Sequence, residues 1–414
     1  MTVLIKNIGH LAGVSDPKQP LKGKQLSELT VMKDSWLLLE DDRIEDIGFM
    51  YELELKVPEH PLHTIDAKGA FILPAWCDSH THIVFAGSRE EEFVDKIKGL
   101  SYADIAAKGG GILNSAGKLA ACSEELLYEK AMARIEEVAK LGTGAVEIKS
   151  GYGLSVEAEL KMLRVIQKIK NGSELLIRSS FLGAHAYPAK FREDHEGYIK
   201  LILDEMLPAI GAEKLADYVD VFCEKGFFSV ADMERICNAA AKYGLKPKLH
   251  VNQLNSIGGI QSAVRLNAVS VDHLETMTEE DVRDLANSNS IGTLLPTAAY
   301  FLRMNYQPAR RLIDEGCSIA IASDFNPGSS PSGNMNVVVS MSCIQMKMLP
   351  EEAVNAATIQ GAFAMELAEL TGSIAIGKKA NLIFMKENIP SLAYIPYAFG
   401  SNLVEKVMLN GRFI

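Results

Sequence analysis

The chain lacks a basic excess: 42 Lys and Arg stand against 53 Asp and Glu, for a net charge of -11. Without clustered cations to neutralise phosphates, a nucleic-acid partner is not expected, and a small-molecule partner is. Its six cysteines, Cys77, Cys122, Cys223, Cys237, Cys317 and Cys343, show no C-x-x-C spacing. They read as reduced core thiols of a cytoplasmic protein, so no disulfide is expected. No stretch approaches about 18 uninterrupted apolar residues, and Met1-Thr2-Val3-Leu4-Ile5-Lys6 lacks the basic-then-apolar pattern of a leader. Neither membrane spanning nor export is expected. Low-complexity tracts and repeats of about 20 to 50 residues are also missing.

What is present is ordinary globular composition, 48% apolar and 23% charged, over 414 residues. That length predicts one large domain with a smaller companion. Near the start, Thr2 to Ile8, Ser35 to Leu39, Arg43 to Gly48 and Thr64 to Asp66 read as short strands. Near the end, Asn381 to Met385 and Val404 to Leu409 read alike, the latter closing on the turn pair Asn410-Gly411. The two β-rich ends, residues 1–70 and 370–414, predict one small β-sandwich domain.

Between them, over residues 71–369, short apolar runs alternate with long amphipathic stretches, as in a parallel sheet with crossover helices. The expected strands lie near Ile72 to Asp78, Ala145 to Lys149, Ile177 to Gly183, Tyr218 to Cys223, Pro247 to Val251, Ala268 to Asp272, Ile291 to Leu295 and Ile319 to Ser323. Ser123 to Leu141, Val156 to Lys170 and Val230 to Tyr243 read as helices. Eight such units predict an α/β fold, a (β/α)8 TIM-like barrel, with its active site at the C-terminal strand ends.

Polar residues gather at those ends. Asp78-Ser79-His80-Thr81-His82 closes the first strand, and alternation puts both imidazoles on one face, about 7 Å apart along the backbone. Tyr152 follows the second strand, His185 the third, His250 the fifth, His273 the sixth, and Asp324 and Asn326 the eighth. The remaining histidines, His10, His60, His63 and His195, read as surface or packing residues. Imidazoles with one carboxylate suit zinc or iron, so His80, His82, His250 and Asp324 form a candidate ligand set for one metal ion per subunit, Zn2+ or Fe2+/Fe3+. A metal so held makes hydroxide available near neutral pH, and Asp324 can take the proton and return it to a leaving nitrogen.

This order of His-x-His, His, His and Asp on successive strands resembles the amidohydrolase superfamily over the whole chain. Val84-Phe85-Ala86-Gly87-Ser88-Arg89, Glu147-Ile148-Lys149-Ser150-Gly151-Tyr152-Gly153-Leu154, Leu182-Gly183-Ala184-His185-Ala186 and Ser323-Asp324-Phe325-Asn326-Pro327-Gly328-Ser329-Ser330-Pro331 are similar to its imidazolone-ring hydrolases of histidine breakdown. The resemblance implies attack of a metal-bound hydroxide on the ring carbonyl of 4-imidazolone-5-propanoate. Cleavage of the cyclic amide C–N bond would give N-formimidoyl-L-glutamate. It implies a homodimer, the metal ligands named above, and substrate contacts from Arg89, Tyr152, His185, Asn326, Gly328 and Ser329. His273 or His185 would stabilise the oxyanion. Plainer readings of the same residues stand beside these: a surface ion pair for Arg89, ring packing for Tyr152, a strand cap for His185, and orientation of a ligand for His273.

One position departs from some members of the family. His250-Val251-Asn252-Gln253 ends in Gln where they carry Glu, and Gln cannot exchange a proton in ordinary acid-base catalysis. Gln253 is therefore expected to position substrate or water, which leaves proton transfer to Asp324. The same Gln weighs against a nucleobase deaminase, which uses Glu in a His-x-x-Glu pattern. A catalytically silent metal-binding scaffold is the alternative from another class. Lys149 reads as structural, and Glu224 as a hydrogen-bonding support. Gly109-Gly110-Gly111 with Gly117-Lys118 misses phosphate-loop spacing and reads as a loop at the barrel mouth.

Overall fold

The computed structural model describes residues 1–57, 59, 61, 63–100 and 110–414; His60 and Gly109 lie outside the described residues. The N-terminal part supplies β1 (Thr2–Ala12), β2 (Val31–Glu40), β3 (Arg43–Phe49), β4 (His63–Asp66) and β5 (Phe71–Pro74). The barrel strands are β6 (Trp76–Thr81), β7 (Thr143–Lys149), β8 (Leu176–Ala184), β9 (Tyr218–Cys223), β10 (Lys246–Val251), β11 (Ser270–His273), β12 (Ile291–Leu294) and β13 (Ile319–Ile321). The chain then returns as β14 (Leu382–Met385), β15 (Val404–Leu409) and β16 (Arg412–Phe413).

Strands from both ends form one mixed sheet in the order β16-β15-β14-β5-β1-β2-β3, with β4 also on β1. Its apolar face buries Val3, Ile5, Leu37, Leu39, Ile72 and Leu382, among others, in a core of its own. The run expected as one strand from Ile72 to Asp78 is divided. Phe71–Pro74 pairs with β1 and β14, whereas Trp76–Thr81 opens the barrel. Pro74 has no N–H to continue a ladder, and Ala75 instead donates to Asn381 O at 2.9 Å.

The barrel strands run β6 to β13 in order, all parallel. Closure comes at the top, where Asp324 N donates to His80 O (3.0 Å) and His82 N to Phe325 O (2.9 Å). Several crossover helices begin where Ser or Thr caps them. Ser123 accepts from Leu126 N before helix Glu124–Lys140, and Ser155 from Ala158 N before helix Val156–Gly172. Outward positions Val146, Ile148, Val219, Val221, Leu249 and Val271 join the core beneath the helices. The intervening inward positions Glu147, Lys149, Asp220, Lys248, His250 and Asp272 are buried and polar.

Helix Ile359–Ala364 packs directly on the first barrel strand. A Cβ at Gly361 would lie 2.1 Å from Cys77 O, a backbone atom that cannot swing away. Gly361→Ala should therefore lower unfolding stability by about 1–3 kcal/mol or more, seen as a lower denaturant midpoint. A midpoint equal to the parent's would contradict this packing.

Candidate active site and metal centre

His80, His82 and His250 each bring one ligand-capable atom to within 4.8 Å of the others, and all three are buried. Asp324 Oδ1 lies 3.5 Å from His80 Nε2 and 3.6 Å from His82 Nε2. Two carboxylates below orient the rings: His80 Nδ1 meets Asp272 Oδ2 and His250 Nδ1 meets Asp220 Oδ2, both at 2.7 Å. With Nδ1–H donated downward, each Nε2 is left with a lone pair facing the cluster. Among the described residues, buried His80 Nε2 and His82 Nδ1 have no hydrogen-bond partner. Burial also holds all three imidazoles well below their ordinary pKa and so neutral. Unpartnered neutral nitrogens beside a carboxylate fit a divalent cation such as zinc or iron.

Asp324 is set by the barrel's closure. Asp78 accepts from Ser323 N (2.9 Å) and Ser323 Oγ (2.5 Å), which ties the first strand to the end of the eighth. The Asp324 backbone then turns through φ 52°, a left-handed conformation uncommon outside glycine and held here by the barrel's closure. Burial raises its carboxyl pKa to about 6. His273 also sits at positive φ, 90°, 5.1 Å from His250 between ring centroids. Burial lowers its pKa, but Glu275, 3.3 Å from its Nδ1, together with Asp324 and Asp272, outweighs that and raises it. This favours the protonated form of a ring that packs beside the cluster.

Tyr152 and His185 flank the other side. Their rings lie 5.9 and 5.5 Å from His82. The turn carrying Tyr152 is built on buried Glu159, which accepts from the amides of Gly151, Gly153 and Leu154. His185 Nδ1 bonds Gly151 O at 3.0 Å, and burial lowers its pKa to about 4. It is neutral at physiological pH.

These residues line a cavity of about 640 Å³ together with Arg89, Gln253, Asn326, Gly328 and Ser329. Arg89 Nε donates to Ser115 Oγ at 2.8 Å, while buried Nη2 has no hydrogen-bond partner among the described residues. Gly328 makes room for it, because a Cβ there would lie 2.3 Å from Nη1. Asn326 is occupied in shaping its own loop. Its Oδ1 accepts from Gly328 N and Ser329 N, both at 2.8 Å, and its Nδ2 donates to Asp324 O at 2.7 Å. Ser329 Oγ donates to Asp324 Oδ2 at 3.1 Å. Glu224 accepts from Leu254 N (2.8 Å) and Asn255 N (3.2 Å), supporting the loop just after Gln253.

Of the other described histidines, His10 stacks on Phe71 at 5.2 Å, His195 on Tyr187 at 3.7 Å, and His63 stands exposed on β4. Sequence reading passed over Asp220, Asp272 and Glu275, which orient the histidines. For Asp220 and Asp272 the available signal was an acidic residue at an inward strand position, whereas Glu275 lies beyond the end of β11.

The amidohydrolase family profile matches residues 71–414. An imidazolonepropionase of Flavobacterium johnsoniae is 56% identical over 416 aligned positions, covering 100% of both chains. The chain belongs to the imidazolonepropionases of the amidohydrolase family. A second imidazolonepropionase, from Christiangramia forsetii, is 52% identical and again covers 100% of each chain. Membership makes the chain a metal-dependent hydrolase acting on a small molecule. Among solved structures, E. coli guanine deaminase superposes with a TM-score of 0.73 at 13% identity, over 100% of this chain and 99% of that one. An adenosine deaminase from Xanthomonas campestris with bound zinc gives 0.70 at 16%, over 99% and 92%. At such identities the imidazolonepropionase chain shares with them the fold alone. Among the described residues, no helix is long and apolar enough to cross a membrane.

Proposed function

We propose that this chain hydrolyses 4-imidazolone-5-propanoate to N-formimidoyl-L-glutamate in histidine degradation. The observation that carries the reading is one cavity lined by His82, His250 and Asp324 of the cluster and by an arginine whose Nη2 is unpartnered among the described residues. A five-membered ring bearing a propanoate arm needs those two features: an electrophile-activating centre for its amide and a cation for its carboxylate.

His80, His82, His250 and Asp324 would hold one zinc or iron ion per subunit, and the donor types suit either. When bound, it supplies Lewis acidity, which activates water and polarises the carbonyl. Arg89 pairs with the substrate carboxylate, where a guanidinium gives directional hydrogen bonds. Tyr152, Gly328 and Ser329 bound the ring, and Gln253 orients it or the attacking water by hydrogen bonding. Asn326 acts through the loop it holds. Asp324 takes the proton of the attacking water and delivers it to the ring nitrogen as the C–N bond breaks. His273, raised in pKa by Glu275, donates to the oxyanion; neutral His185 is the second candidate donor. One water is consumed and no ammonia leaves. A homodimer in the cytoplasm completes the proposal.

Treatment with a chelator, followed by gel filtration, should abolish ring opening, and stoichiometric Zn2+ or Fe2+ should restore it. Full activity in protein shown by elemental analysis to be metal-free would sink the reading.

A further inference from the structure

The inward layer under the histidines is unusual for a barrel, whose interior is normally filled by branched aliphatic residues. Here Glu147, Lys149, Asp220, Lys248 and Asp272 meet there, none more than 1% exposed. Lys149 Nζ sits among three carboxylates, 2.8 Å from Glu147 Oε1, 2.8 Å from Asp220 Oδ2 and 3.3 Å from Asp272 Oδ2. Two of those oxygens are the same atoms that hold His250 and His80 by Nδ1. A single ammonium from β7 therefore joins the two carboxylates that aim two ligand-set histidines, which come from β10 and β6.

Lys248 is a built-in contrast. Its Nζ reaches Glu147 Oε2 at 3.1 Å, Ser270 Oγ at 2.8 Å and Ala364 O at 2.8 Å. Its charge also favours the Asp272 carboxylate, but its hydrogen-bonded link to Asp272 runs through Ser270, whose Oγ donates to Oδ1 (2.6 Å), the oxygen that does not hold His80. Both lysines are fully buried and both share Glu147, but only Lys149 touches the histidine-bearing oxygens.

We infer that Lys149 is a positioning residue of the metal centre, fixing the spacing of His80 and His250 through the Asp272 and Asp220 oxygens it clamps. The inference rests on the metal site proposed above. Without the ammonium, mutual repulsion among Glu147, Asp220 and Asp272 moves the carboxylates apart, and the two rings turn with them. Partners that orient metal ligands from behind are typically worth about 10–100-fold in metal affinity.

The test is metal affinity of full-length protein, stripped and then titrated with Zn2+ against a chromogenic competing chelator, with thermal unfolding of the stripped protein recorded in parallel. Lys149→Met should bind Zn2+ about 10–100-fold more weakly than the parent, whereas Lys248→Met keeps its affinity within about 3-fold although it too loses stability. Should Lys149→Met fail to fold, the pair Lys149→Met with Glu147→Gln removes one charge of each sign and carries the same expected loss of affinity. Unchanged affinity in the Lys149 variants, or equal weakening in Lys248→Met, overturns the inference. A parent protein that takes up no stoichiometric Zn2+ overturns the proposed metal site itself, which separates the two failures.

Discussion

Asp324→Asn protein, assayed with saturating metal, should turn over about 10³-fold more slowly, the usual scale for losing a positioned proton-transfer group. The substitution is nearly isosteric and keeps an oxygen for the Ser329 hydroxyl now 3.1 Å from Oδ2. The loop that Asn326 organises should therefore survive. What is lost is a carboxylate between His80 and His82 able to accept a proton from water and release it to nitrogen. The decisive quantity is kcat at a metal occupancy confirmed by elemental analysis. A kcat within a few-fold of the parent would remove Asp324 from proton transfer and move that role to His273 or His185.

Arg89→Met should lower kcat/KM by about 10²–10³-fold, because truncating one partner of a buried, hydrogen-bonded charge pair costs on the order of 2–5 kcal/mol. Most of the loss should fall on KM, since the carboxylate is remote from the scissile bond and is bound in ground and transition states alike. The parent should discriminate strongly against an imidazolone lacking the propanoate carboxylate, and Arg89→Met should not. Lys96, whose Nζ donates to Gly328 O at 3.2 Å in the same cavity, is a second cation nearby. Parent-like KM in Arg89→Met would shift carboxylate recognition to it.

Much of the site was legible because a barrel turns sequence alternation into geometry. His80 and His82 share a face by strand period alone, and residues after successive strands converge on one mouth. Arg89 was legible only by resemblance, since a lone arginine ahead of the acidic run Glu90-Glu91-Glu92 reads equally as a surface ion pair. The orienting layer was legible only in part, as isolated acidic residues at inward strand positions. Lys149 alternates with Ile148 as any half-exposed strand residue would, and nothing local reveals that Asp220 and Asp272, 52 positions apart in sequence, meet on its ammonium. The division at Pro74 was missed for a similar reason. Apolar content continues unbroken from Phe71 to Cys77, and only the hydrogen-bond partners distinguish the terminal sheet from the barrel.

The most direct test of the account is product analysis with freshly prepared 4-imidazolone-5-propanoate and metal-loaded protein, following ring absorbance, N-formimidoyl-L-glutamate and ammonia together. The account predicts one N-formimidoyl-L-glutamate for each ring lost and no ammonia. Ring loss with stoichiometric ammonia, or no turnover by demonstrably metal-loaded protein, would contradict it.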